Sequence, residues 1–335
     1  QPDSDVVLSI ISSDTGEATV TSSLTFTSAN WDTAQTVTVT GADDDLVDGT
    51  VSSTTTISVV DAASDNNFDG VADQTVSVTT VDDDVAGFTI AETEGSTGVT
   101  EAGGTDTFTV VLNAQPDTNV ILSLISGDTG EATVTSSLTF TSANWDTAQT
   151  VTVTGVDDHL VDGTETSTIT IAVVDVASDN NFDDVADQTV SVSTTDDDVA
   201  GFTIVELEGS TAVDESGTTD TFTVVLNAQP DSDVVVAITS SDTGEASSNS
   251  PLTFTSSNWD TAQTVTVTGV DDFLLDGTIT SDLVVAIVDA SSDNNFDGVA
   301  DQTVSVSTTD DDVAGFTVVE LEGSTAVDES GTTDT

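Results

Sequence analysis

The chain contains no lysine, arginine, cysteine, methionine or tyrosine, and only one histidine and four prolines among 335 residues. Each absence removes a class of explanation. Without cysteine there is neither disulfide bracing nor thiol chemistry, and the compartment cannot be read from cysteine usage. Without lysine or arginine, His159 is the single side chain able to form an ion pair with an acid, while 62 Asp and Glu leave a formal charge of −62. A charge of that sign repels nucleic acid and anionic lipid. No run of about 18 apolar residues marks a membrane span. The opening QPDSDVV has neither a basic n-region nor an apolar h-region, so any secretion signal or anchor is expected outside this sequence.

What the sequence does contain is alternation. Hydrophobic residues make up 36% of the chain and alternate with Thr and Ser in short runs, the pattern of half-buried strands rather than of a solvated acidic tail. In TVTVTG, Val151 and Val153 should face a core, with Thr150, Thr152 and Thr154 outside. QPDSDVV at residue 1 returns as QPDTNV at 115 and QPDSDVV at 229, a repeat far too long for a single supersecondary unit and therefore one of whole domains. The joints are placed after the DDD runs. This gives an incomplete repeat at 1–86, complete repeats at 87–200 and 201–314, and the start of another at 315–335. The two partial units together lack about one strand, the counterpart of FTVVLNA at 108–114. An excerpt from a longer array is favoured over end domains completed by donated strands.

Within 87–200 the pattern predicts seven strands, near GFTIA, DTFTVVLN, NVILSLIS, ATVTSSLTFT, AQTVTVTG, TSTITIAVV and QTVSVSTT, joined by Asp, Gly, Asn and Ser turns. The fold class is all-β, as tandem immunoglobulin-like antiparallel β-sandwiches arranged as a rod. Trp31, Trp145 and Trp259 are expected to plug one sandwich end.

Three acidic elements recur. One is a Glu near the start of each unit: Glu101, Glu215 and Glu329. The second is a loop after TVTVTG holding Asp43, Asp44 and Asp48, then Asp157, Asp158 and Asp162, then Asp271, Asp272 and Asp276. The third is the closing run: Asp82, Asp83 and Asp84, then Asp196, Asp197 and Asp198, then Asp310, Asp311 and Asp312. Loops of a sandwich that share one end would bring these carboxylates together, which a hard cation with six to eight oxygen ligands would relieve. Asp45 becomes His159 and then Phe273, so that position lies outside any shared ligand set. SDNNFDGVADQ at 64–74 places Asp65, Asn67, Asp69 and Asp73 like a calcium loop. Val76 stands where an EF-hand needs its Glu and no helices flank it, so it is read as a packed loop with a secondary metal role.

These residues resemble the Calx-beta family over the whole repeat: AVDESGTTDTFTVVLNAQPDSDVVV its opening, VTVTGVDDFLLDGT its acidic loop, SVSTTDDD its closing run. The resemblance implies that Glu215, Asp271, Asp272, Asp276, Asp310, Asp311 and Asp312 ligate Ca2+ in 201–314, with counterparts beginning at Glu101 in the preceding repeat. SDTGEATVTSS departs from the family's acidic turn. It also implies an extracellular or cell-surface stalk or filament segment, of adhesin or biofilm-matrix type, whose partners are neighbouring repeats, identical chains end to end, or surface components. A calcium-dependent carbohydrate- or surface-binding module and a strand-donating filament subunit are the alternatives. DTG at 14–16, 128–130 and 242–244 reads as turns rather than a two-lobed aspartic protease site. No pair of acids is singled out for glycoside hydrolysis, and the lone His159 supports neither a triad nor zinc. Enzymatic activity is not expected.

Overall fold

The computed structural model describes every residue except Glu208, Glu322, Ser324, Ala326, Asp334 and Thr335. The described residues form strands joined by turns and short 3-10 segments. They fall into two compact units, one of Gln1–Asp158 with Thr164–Thr195, the other of His159–Gly163 with Asp196–Thr335.

The second unit contains a complete sandwich. One sheet runs Phe202–Glu206, Thr219–Leu226, Gln263–Gly269, Ala246–Ser248; the other runs Thr211–Asp214, Gln302–Thr309, Thr278–Ile287, Val234–Ser240, Leu252–Phe254. Period-two alternation supplies both inner faces. Phe222, Val224, Val265 and Val267 from the first sheet and Leu283, Val285, Val234, Val236 and Val306 from the second have no exposed surface. Each such side chain contributes about 1.5–3 kcal/mol by leaving water. Trp259 packs against the rim of this core. Among the described residues of this unit, neighbouring strands are antiparallel except for the parallel pairing of Thr211–Asp214 with Gln302–Thr309.

The first unit repeats this plan over residues 88–195, with Trp145 at the core rim and Val151 and Val153 fully buried. Thr150 and Thr152 are exposed and Thr154 half-buried, in the expected alternation. Residues 1–81 add a four-stranded sheet, Ser23–Phe26, Val6–Ser12, Thr50–Val59, Gln74–Val81, and a two-stranded pair, Ala18–Val20 with Val39–Gly41. An apolar hollow of about 260 Å³ lies over Val6, Leu8, Phe26 and Phe68. Trp31 beside it is 47% exposed, so here the tryptophan does not close the core as its counterparts do.

Two details differ from the expectation of seven strands. Thr97–Thr100 is an additional short strand, too brief and too rich in Thr and Gly to show a period of its own. ATVTSSLTFT is not one strand: Ala132–Val134 joins one sheet and Ser137–Phe140 the other. Between them the Thr135 amide donates to Thr152 O while Ser136 O accepts from the Leu124 amide, so adjacent peptides serve opposite sheets. Ala132, Val134, Leu138 and Phe140 keep one period-two phase across the crossing, with only Ser136 out of pattern, so the apolar residues read as a single strand.

Candidate metal centre

Strand register assembles the acids in the second unit. The parallel pair aligns Asp214 with Thr309, and the Glu215 amide donates to Thr309 O at 3.1 Å. Glu215 and Asp310 therefore leave their strands side by side. On the other flank, Thr278 pairs with Thr309, which lays the end of the acidic loop against the closing run. Asp310 accepts from the amides of Gly277 at 2.9 Å and Asp312 at 2.7 Å. The facing sheet contributes Gln263–Gly269, whose last residue passes so near the 214–215 segment that a Cβ on Gly269 would overlap the Asp214 carbonyl. That glycine lets the acidic loop begin at the same point where Glu215 emerges.

Glu215, Asp272 and Asp312 each present a carboxylate oxygen within 4.8 Å of the other two. Glu215 is 1% exposed, and neither of its carboxylate oxygens has a hydrogen-bond partner among the described residues. Burial, then the charges of Asp272, Asp310, Glu245 and Asp276, push its pKa up to about 7. Asp312 is raised by burial and then by Asp310 and Asp271, and one of its oxygens is also without a partner. Asp310 moves the other way, held low chiefly by the Gly277 and Asp312 amides. Asp271, Asp276 and Asp311 are exposed at the edge of this group. An anion buried without a donor is costly in any chain. Here there is no lysine or arginine to supply one.

A further acid lies outside the set expected from sequence. Glu245, in the SDTGEA turn, is 4% exposed with Oε2 lacking a partner. Burial raises its pKa, followed by Asp276 and Asp272. The Val270 amide donates to Glu245 O at 2.9 Å, tying this turn to the base of the acidic loop. A signal for it exists in the sequence: Glu17, Glu131 and Glu245 recur at equivalent places, and the comparison of copies that sets Asp45 aside picks them out equally. The DTG beside them forms turns, with Asp14, Asp128 and Asp242 each accepting from the Gly two residues on.

In the first unit, Asp82 accepts from the amides of Asp48, Gly49 and Asp84, and these bonds lower its pKa. Oxygens of Asp43, Asp83 and Asp84 lie within 4.8 Å of one another. A small polar hollow of about 30 Å³, with Asp44, Asp48 and Glu17 also on its wall, fits one ion or water. Asp84 is raised by burial and then by Asp82 and Asp45; Glu17 by burial and then by Asp48 and Asp44. Also in this unit, Glu101 is 1% exposed and its amide donates to Thr195 O, while Asp157 is exposed and Asp158 half-buried. In the second unit, Asp196 accepts from Asp162, Gly163 and Asp198, and Asp197 is exposed. Glu329 is exposed.

The SDNNFD loop is placed elsewhere and built differently. Asp65 is 4% exposed and caps a 3-10 turn. It accepts from the amides of Asn67, Asp3 and Ser4, and the first two chiefly depress its pKa. Asp179 likewise accepts from the amides of Asn181 and Thr118, and Asp293 from those of Asn295 and Ser232. Asn67, Asp69 and Asp73 are exposed. Phe182 and Phe296 are fully buried beneath their loops.

No family model and no curated protein matches the chain. Solved structures with similar traces include domains 4–9 of the surface layer protein SbsC, at 20% identity and TM-score 0.28 over 90% of this chain and 39% of that one. CBD12 from CALX1.2 is 14% identical, TM-score 0.25, over 59% of this chain and 79% of that one. The D0-D1 domain of intimin is 18% identical, TM-score 0.24, over 66% and 97%. The chain thus spans well under two thirds of the SbsC structure's length. Likeness this distant carries no functional weight, and the chain's own geometry must supply it.

Proposed function

We propose that the chain is a calcium-stabilised structural segment of an extracellular or cell-surface repeat protein, of stalk, adhesin or matrix-filament type, and not an enzyme. The observation that carries this reading is Glu215: a carboxylate 1% exposed, without a hydrogen-bond partner, grouped with Asp272 and Asp312 in a chain devoid of fixed cations. Calcium accepts six to eight oxygens in adaptable geometry, and sites as weak as 10⁻⁴–10⁻³ M suffice outside cells. Glu215, Glu245, Asp272 and Asp312 would provide inner oxygens, with Asp271, Asp276 and Asp311 completing the shell. Asp310 holds the two loops in register through its amide bonds. Asp65, Asp179 and Asp293 spend their oxygens on main-chain amides, so the SDNNFD loop is assigned to packing rather than to metal.

Near-identical repeats, each with its own acidic end, suit a structural array better than a sensor that needs one or two sites. The test is calcium titration of the intact chain by calorimetry at neutral pH. Saturable binding that Glu215→Gln weakens would support the reading. No heat beyond that of magnesium or sodium controls would remove it.

A further inference from the structure

The acidic loop Asp43–Gly49 of the first unit faces two ways. Its carboxylates belong to the acid cluster of its own repeat. Its main chain faces the next repeat: Asp45 O accepts from the Gln115 amide at 2.7 Å, and Val47 O accepts from Asn181 Nδ2 at 2.5 Å. Leu46 and Gln115 form a parallel bridge. The second unit contains the same set, in which His159 O accepts from the Gln229 amide at 2.8 Å and Val161 O accepts from Asn295 Nδ2 at 2.5 Å. Leu160 bridges Gln229, and Val161 packs against the core of the repeat that begins at 201. Both grips are on carbonyl groups. That explains why the central side chain can change from Asp45 to His159 while the Gln and the second Asn of SDNNF recur.

The direction of those carbonyls is set by the acids themselves. Asp44 Oδ1 accepts from the Leu46 amide at 3.0 Å, and Asp82 Oδ2 accepts from the amides of Asp48 and Gly49. The peptides of Asp45 and Val47 lie between these fixed points. A cation that ordered Asp44, Asp48 and Asp82 would therefore order the surface that Asn181 and Gln115 read. Leu46 and Val47, which meet Gln115 and Asn181, are half-buried, whereas their counterparts Leu274 and Leu275 are 60% and 62% exposed.

We infer that Asn181 is a joint-positioning residue within the first unit, and that its hold on the preceding repeat's acidic loop couples cation binding in that loop to closure of the joint. The inference rests on the proposed metal centre. Coupling of this kind is reciprocal: calcium tightens the joint, and loss of the joint contact weakens calcium.

The absence of cysteine makes the test clean, since Ser52→Cys and Thr166→Cys, at equivalent exposed places in the first two repeats, would carry the only spin labels. Distance distributions are measured on the full chain by double electron–electron resonance with calcium and with EGTA, beside calcium calorimetry. Calcium should narrow the distribution. Asn181→Ala should keep it broad and weaken a subset of sites by roughly fivefold, the worth of about one hydrogen bond. Asn180→Ala, at the exposed neighbouring Asn of the same loop, should leave both readouts as in the parent chain. If calcium binds while Asn181→Ala changes neither affinity nor distances, the coupling is overturned and the metal centre stands. If calcium does not bind the parent chain at all, the metal centre fails and the coupling with it.

Discussion

Glu215 concentrates the account into one side chain. With a pKa raised from the ordinary 4.5 to about 7 in the metal-free fold, it binds protons more tightly folded than unfolded. Its contribution to stability is therefore best at or below pH 4.5 and is lost as pH rises to about 7 and above. Urea unfolding in EGTA should show stability falling across that window. Acids held low, such as Asp310, act oppositely and only at lower pH, near and below their ordinary range. Glu215→Gln should flatten the fall between pH 4.5 and 7 in EGTA while weakening calcium by roughly tenfold or more. A variant with unchanged pH dependence would show that Glu215 does not titrate as described. At this scale the sequence was informative where a residue type recurs in a recognised setting, as with Glu215 and the paired Asp loops. Glu245 is marked only by its recurrence with Glu17 and Glu131; nothing local distinguishes a Glu in an exposed turn from one folded under a neighbouring loop.

At the scale of elements, the parallel pairing of Thr211–Asp214 with Gln302–Thr309 is what brings the separate acids together. No sequence period announces a four-residue edge strand, and its register with the last strand is a tertiary fact. The long strands are legible because apolar residues alternate with Thr and Ser in them; the crossing at Thr135–Ser136 is not, since the apolar phase resumes at Leu138 after a single polar interruption. SDNNFD carries two readings at once. Asp at places one and five resembles a calcium loop, yet the same short carboxylate serves equally well as a turn cap. Asp179→Ala should cost about 0.5–2 kcal/mol in urea unfolding without changing calcium stoichiometry; a lost site would reinstate the loop as metal-binding. Phe182→Ala, beneath that loop, should cost about 3–5 kcal/mol. Gly269→Ala, which drives a methyl into the Asp214 carbonyl, should destabilise by about 1–3 kcal/mol or more and weaken calcium together with it. Retained affinity at full strength would mean the two sheets need not approach so closely there.

For the whole molecule, the governing fact is 62 acids with no lysine or arginine. Such a chain gains stability from any salt by screening, with a Debye length near 10 Å at 0.1 M. General screening and specific binding must therefore be separated. Bound calcium stabilises as the logarithm of its concentration over the dissociation constant, about 2.7 kcal/mol per site at a hundredfold excess. The decisive measurement is the thermal melt of the intact chain at pH 7.5 in 10 mM calcium chloride, compared with EGTA and with sodium chloride at matched ionic strength. The melting temperature should rise by about 5 °C or more with calcium and by far less with sodium. An equal rise in both salts, or none in either, would contradict the claim that these acids form a calcium centre.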